Sequence, residues 1–230
     1  MSAILRLPQT VVPETPLPQD EVRAVFAAQP DINRLAVRIV NTSFGVSGID
    51  MRYTAITELG ADAQVDEPMF YDREANLLLS PGTAARNELY VRAATGLFVE
   101  AARRALTASP DISTADITHL ITVSCTGFHA PGPDFEIVQA LGLRDGVERY
   151  HFGFMGCYAS IPALRAARQF SLADPDAVVL VVSTELCTLH LRSSNDPDTI
   201  IASSLFADGA AGAIVSSRPP ADGSLALSLD

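Results

Sequence analysis

Two apolar runs with a helix between them constrain this chain more than any other feature. Residues 119–123 lead into Ser124-Cys125-Thr126-Gly127, and residues 177–182 read AVVLVV before Ser183-Thr184-Glu185. Unbroken apolar runs of this length belong to strands covered on both faces. Residues 161–172 lie between them and are Ala-rich with helical spacing. The order strand, helix, strand therefore predicts parallel strands joined by a right-handed crossover. At 230 residues and 48% hydrophobic, the chain can bury a large core, and its composition excludes a disordered or fibrous protein.

The remaining pattern extends an α/β reading. A short strand is expected at residues 3–7 and a helix at 19–28, opened by Asp20 and Glu21. A second helix is expected at residues 32–40 with Arg34 and Arg38 on one face, followed by a Gly/Ser/Thr loop at 41–48 and then Arg52 and Tyr53. The longest helical pattern covers residues 80–108, with Leu89, Ala93, Leu97 and Ala101 recurring at three- and four-residue steps before Pro110. Residues 205–209 read as a turn and 210–215 as another buried strand. Residues 224–230 alternate strictly, as though a further strand begins and the chain stops inside it. The sequence thus divides into a domain over residues 1–216 and a linker with the start of a further half over 217–230.

Charge narrows the function. A formal charge of −11 repels phosphate backbones and anionic lipid, so neither nucleic acid nor a membrane is an expected partner. All 16 basic residues are arginine. Without lysine there is no Schiff base and no Walker-type phosphate loop. Three scattered cysteines, no signal peptide and no long apolar run point to a reducing cytoplasm. No GxGxxG follows a strand and no GxSxG is present, which leaves dinucleotide and serine-hydrolase readings without their motifs.

The sharpest local feature is Gly153-Phe154-Met155-Gly156-Cys157-Tyr158-Ala159-Ser160. A cysteine just ahead of a helix can be a nucleophile, because free amide N–H groups and the positive end of the helix dipole favour thiolate over thiol. Its alternative is a buried, inert cysteine. Pro162 fits a helix that starts near Ser160, where the missing N–H does no harm. A nucleophile needs a base. Of His119, His129, His151 and His190, only His151 lies close in sequence, six residues ahead in an extended approach. Cys125, Cys187, His129 and His190 each follow a strand end, where open α/β sheets collect ligand-binding residues. With no CxxC or HxxxH pair among them, no metal site is expected.

These residues, with Pro131-Gly132, Gly156-Cys157, Val179 to Glu185 and Leu205-Phe206-Ala207-Asp208-Gly209-Ala210-Ala211 in this order, resemble the chalcone and stilbene synthase superfamily, the type III polyketide synthases. The resemblance implies the N-terminal half of a thiolase-like fold: a mixed, mainly parallel sheet with helices on both faces. It implies that Cys157 takes a starter acyl group from acyl-CoA and that malonyl-CoA units extend it to a pyrone or phenolic product. The enzyme would be a homodimer with no metal or organic cofactor beyond its coenzyme A thioester substrates.

By the same resemblance Phe206 is a gatekeeping phenylalanine, and Cys125, Thr126, Cys187 and His190 line the starter and cyclisation pocket. Arg34, Arg38 and Arg52 are the arginines nearest to the positions that grip the coenzyme A phosphates. The family's catalytic histidine and asparagine belong to a second half that this sequence does not contain. The chain alone is therefore expected to lack malonyl-CoA decarboxylation and extension. Its alternatives are a non-catalytic remnant or one half of a split enzyme, and a ketoacyl synthase III or thiolase of fatty-acid metabolism, which shares the cysteine and the fold.

Overall fold

The computed structural model describes residues 2–221 and 223–229. In chain order the elements are β1 (Ala3–Arg6), β2 (Gln9–Val11), β3 (Thr15–Pro18), α1 (Gln19–Ala27), α2 (Arg34–Val46), β4 (Met51–Thr54), β5 (Tyr71–Asp72), β6 (Leu77–Leu78) and α3 (Thr83–Thr107). They continue with β7 (His119–Ser124), α4 (Pro133–Leu141), β8 (Glu148–Gly153), α5 (Ser160–Ala173), β9 (Val178–Leu186), α6 (Pro197–Leu205), β10 (Asp208–Ser216) and β11 (Ala226–Leu229). The chain forms two compact units. One holds the segment ending at Val11, Val91–Glu185 and the segment starting at Ala210; the other holds Val12–Tyr90 and Leu186–Gly209.

The first unit is built on a mixed sheet of strand order β11-β1-β10-β9-β7-β8, with β2 also on β10. β7 pairs in parallel with β8 and with β9, while β1 pairs antiparallel with β10 and β11. The expected crossover from β7 to β9 is made in two steps, through α4 and β8 and then through α5. β8 has no apolar run because it is an edge strand, largely exposed along ERYH, so period-based reading passes over it. β11, the strand expected from the alternation of residues 224–230, pairs along β1 from Ala3–Leu229 to Arg6–Ala226. Asp230, the last residue of that expected strand, lies outside the described residues.

Alternation along the strands sorts the core into two layers. Ile121, Val123, Val179, Val181, Ala213 and Val215 face α5, whose Ala163 and Ala167 are fully buried. These alanines stand one helical turn apart, so α5 presents a flat stripe to the sheet. On the other face, α3 crosses β10 at Gly212. A Cβ built there would lie 2.3 Å from the Ala101 carbonyl oxygen, so only glycine admits the helix at this distance.

The second unit has its own cluster, including Leu17, Val22, Phe26, Val40, Phe44 and Ile200. α2 begins where Asn33 Oδ1 accepts the Ala36 amide at 3.0 Å. It does not stop at residue 40: the segment expected as a loop from Asn41 continues the helix to Val46. Ala36, Val40 and Phe44 form one buried stripe at four-residue steps, and burying Phe44 outweighs the weak helix propensity of Asn, Thr, Ser and Gly. α6 was also hidden by composition. Asp196 caps it by accepting the Thr199 amide at 2.8 Å, and Pro197 supplies its first residue.

Candidate active site

In the first unit, β8 ends at Gly153, and two left-handed residues, Phe154 (φ 58°) and Gly156 (φ 79°), turn the chain back. A hydrogen bond of 3.1 Å from the Ala159 amide to the Gly156 carbonyl closes a turn around Cys157. α5 starts at Ser160 with Pro162 in its first turn, as the sequence predicts. Cys157 is solvent-exposed, one turn ahead of the helix, where the dipole favours negative charge. Phe154 carries a positive φ that costs a non-glycine residue roughly 1–3 kcal/mol and is 76% exposed.

β7 ends beside it in a turn that carries Cys125 and Thr126. Glu185, from β9, holds that turn. Its carboxylate accepts the Cys125 amide at 2.9 and 3.0 Å, the Thr126 amide at 3.1 Å and the Thr126 hydroxyl at 2.7 Å. Cys125 is half-buried. Burial first, and the Glu185 charge second, push its thiol up to about 11, while the Gly156 amide, donating to the sulfur, pulls the other way. Cys125 is thus a neutral thiol at physiological pH, and alkylation by iodoacetamide should be slow at pH 8 and accelerate as pH rises toward about 11. Peptide mapping over a pH series checks this; a Cys125 rate that plateaus below pH ~9 would contradict the burial and the Glu185 charge that raise the thiol.

The histidines divide. His151 shares a 2.9 Å hydrogen bond with Thr122 through Nδ1, which ties the ring to β7. His119 stacks on Phe170 with centroids 4.4 Å apart and meets Thr118 Oγ1 through Nδ1 at 2.7 Å; it is part of the packing. His129 lies in the turn ahead of α4.

The remaining expected residues sit in the second unit. Phe206 is the residue after α6 and is 44% exposed. Cys187 and His190 bracket a short 3-10 turn, Cys187–His190. That turn is fixed by Asp208, which accepts the Thr188 amide at 2.8 Å, the Thr188 hydroxyl at 2.6 Å and the Ala55 amide at 2.8 Å. Burial raises the Asp208 carboxyl against these hydrogen bonds and the Arg52 charge.

Arg34 and Arg38 are exposed on α2. Arg52 corrects the expectation of a phosphate-gripping side chain. It is 3% exposed, and its Nη1 donates to the Ser203 carbonyl at 2.7 Å and to the Phe206 carbonyl at 2.8 Å. The guanidinium lies over the Phe44 ring, and burial lowers its pKa to about 10. It caps the last carbonyls of α6 with positive charge rather than facing a ligand.

Sequence reading missed Glu185 and Asp208 as supports of these turns. The one available signal was an acid at the end of an apolar strand and another inside Leu205-Phe206-Ala207-Asp208-Gly209, positions where an unpaired carboxylate would be costly. Among the described residues, no group of three or more His, Cys, Asp or Glu side chains is placed to hold a metal ion, and no helix is long and apolar enough to cross a membrane.

Comparison with known proteins places this geometry. The family model described as "Chalcone and stilbene synthases, N-terminal domain" matches residues 4–219. Bisdemethoxycurcumin synthase of Oryza sativa subsp. japonica is 37% identical over 170 residues, 73% of this chain and 40% of that protein. Among solved structures, PKS-I from the brown alga Ectocarpus siliculosus superposes with a TM-score of 0.81 at 28% identity, covering 96% of this chain and 57% of that one. The type III polyketide synthase 1,3,6,8-tetrahydroxynaphthalene synthase from Streptomyces coelicolor A3(2) gives a TM-score of 0.76 at 25% identity, covering 94% and 57%. The chain therefore spans about half the length of the relatives it matches.

Proposed function

Since the chain belongs to the chalcone and stilbene synthase family, whose N-terminal domain it matches over residues 4–219, we propose that it carries the acyl-loading chemistry of a polyketide-forming acyltransferase. The observation that carries this reading is the exposed Cys157 in its tight turn ahead of α5. In the loading step the Cys157 sulfur attacks the thioester carbonyl of an acyl-CoA. The carbon–sulfur bond to coenzyme A breaks, the acyl group stays on Cys157, and the proton of the thiol leaves with the coenzyme A sulfur. A covalent intermediate divides a difficult condensation into acylation and carbon–carbon bond formation.

Extension by malonyl-CoA to a pyrone or phenolic product belongs to the complete enzyme, as does a homodimeric assembly, and we propose both on the family's pattern. No metal or organic cofactor is needed for acyl transfer between thiols. Cys125, Thr126, Cys187, His190 and Phe206 are proposed as pocket residues. Arg34 and Arg38, exposed on α2, are the arginines left to meet coenzyme A phosphates. A cytoplasmic site of action fits acyl-CoA substrates and free thiols.

The test is intact-mass spectrometry after incubation with a panel of acyl-CoA thioesters, beside Cys157→Ala. One acyl group per chain should appear and disappear entirely in Cys157→Ala. An adduct that survives this substitution, or maps to Cys125 or Cys187, would overturn the assignment.

A further inference from the structure

Phe154 is held in a conformation that core packing does not account for. Its φ of 58° lies in the left-handed region, which glycine adopts freely and a bulky side chain does not, and the residue is 76% exposed. Phe128 is 53% exposed. The two rings meet each other, with centroids 5.7 Å apart and planes tilted by 52°. Parallel pairing of β7 and β8 explains the meeting: Ser124 lies opposite Gly153, so the turns that follow leave the same edge of the sheet, one carrying Phe128 and the other Phe154. Residues kept in strained conformations cluster at ligand clamps, and a tilted pair of exposed rings offers a face and an edge to an apolar group.

The same turn carries Cys157. Met155 packs on the core shared by α5 and the sheet, and Gly156 turns the chain at φ 79°. The turn is thus anchored at its centre while Phe154 and Cys157 both reach solvent. Three residues of fully extended chain span at most ~11 Å, so the tail of a group joined to the Cys157 sulfur can reach the rings. Tyr158 and Ile161, both exposed, continue the apolar surface after Cys157 in the chain. We propose that Phe154 and Phe128 form an aromatic wall that holds the apolar tail of the acyl group on Cys157 and favours apolar over polar acyl groups in loading. The selectivity among acyl groups rests on the proposed function; contact between the wall and a tail on Cys157 does not.

The experiment compares N-benzyl iodoacetamide with N-methoxyethyl iodoacetamide on the reduced full chain. With either reagent the Cys157 sulfur displaces iodide, and only the tail differs. Peptide mapping reads the rate at Cys157, normalised to the rates of the same reagents with N-acetylcysteine. The benzyl reagent should modify Cys157 about three- to tenfold faster than the polar one. That preference should vanish in Phe154→Gly and weaken in Phe128→Ala. Glycine keeps the left-handed turn without strain, so the circular dichroism and thermal midpoint of Phe154→Gly should stay near wild type, which separates loss of the wall from misfolding. Equal rates with the two reagents in the wild type, or a preference unchanged by Phe154→Gly, would overturn the proposal. So would a wild type that self-associates in sedimentation velocity where Phe154→Gly does not, because the rings would then face a second copy of the chain. Loading from phenylacetyl-CoA against methoxyacetyl-CoA is read separately and should show the same preference in the wild type alone. A chain that loads neither while the alkylation preference holds would count against the proposed function and leave the wall intact.

Discussion

Replacing Arg52 with methionine is expected to destabilise the chain by about 1–3 kcal/mol, the range for leaving buried acceptors without their donor. Methionine fills much of the same volume, so the loss is electrostatic and hydrogen-bonding rather than a cavity. Asp208, 5% exposed, would keep its hydrogen bonds from Thr188 and Ala55 but lose the cation that offsets its buried charge. The Ser203 and Phe206 carbonyls would lose their donor. Urea unfolding followed by circular dichroism measures the loss, and hydrogen exchange should rise first at the end of α6. The double variant Arg52→Met with Asp208→Asn should regain part of the stability, because the stranded charge is gone. A single Arg52→Met within about 1 kcal/mol of wild type would show that the guanidinium is not the support described here. Arg52→Lys should recover part of the stability, since both carbonyls are met by the single nitrogen Nη1, whose place one ammonium can take.

The second large effect is expected from Gly212→Ala. The obstacle is backbone: the added methyl would meet the Ala101 carbonyl oxygen at 2.3 Å and its carbon at 2.8 Å. α3 cannot retreat cheaply, because Phe98, Ala101 and Ala102 are all fully buried. Overpacking of this kind costs typically 1–3 kcal/mol and sometimes more, and with rigid backbone on the far side we expect about 3 kcal/mol. Thermal unfolding should fall by roughly 6–12 °C for a chain of this size. The control is Gly96→Ala in the same helix, where nothing lies within 4 Å of the new methyl. That substitution should raise stability by about 0.5–1 kcal/mol through helix propensity. Equal effects at the two positions would mean that α3 does not pack on β10 as described.

The residues that were legible in advance are those whose role is written in local pattern. Cys157 stood out because a Gly-rich approach, a cysteine and an Ala-rich helix follow one another within a few residues, and the turn and α5 start where Pro162 requires. β7 and β9 stood out because buried parallel strands need apolar residues at every position. β8 was illegible for the opposite reason: an edge strand is held by backbone pairing to β7 and has no core to advertise. α2 ran past its expected end because Phe44 completes a stripe that composition alone argues against.

Arginine 52 shows the same division inside the candidate site. A cation in sequence reads as a surface charge available to phosphate, since arginine is rarely buried without a partner. Its partners here are two main-chain carbonyls separated from it by about 150 residues of chain, and no local window contains them. Glu185 is alike, reaching across 60 residues to the Cys125 amide.

By itself, then, the amino-acid order determined the family, the α/β class, the turn that carries Cys157 and the helix that follows it, because strand periodicity, helix spacing and glycine placement act over a few residues. Tertiary structure alone decided which charges are supports and which are free, and which cysteine is neutral and which exposed. Those properties depend on desolvation and on hydrogen-bond partners brought together from distant positions, and only the packed chain supplies them.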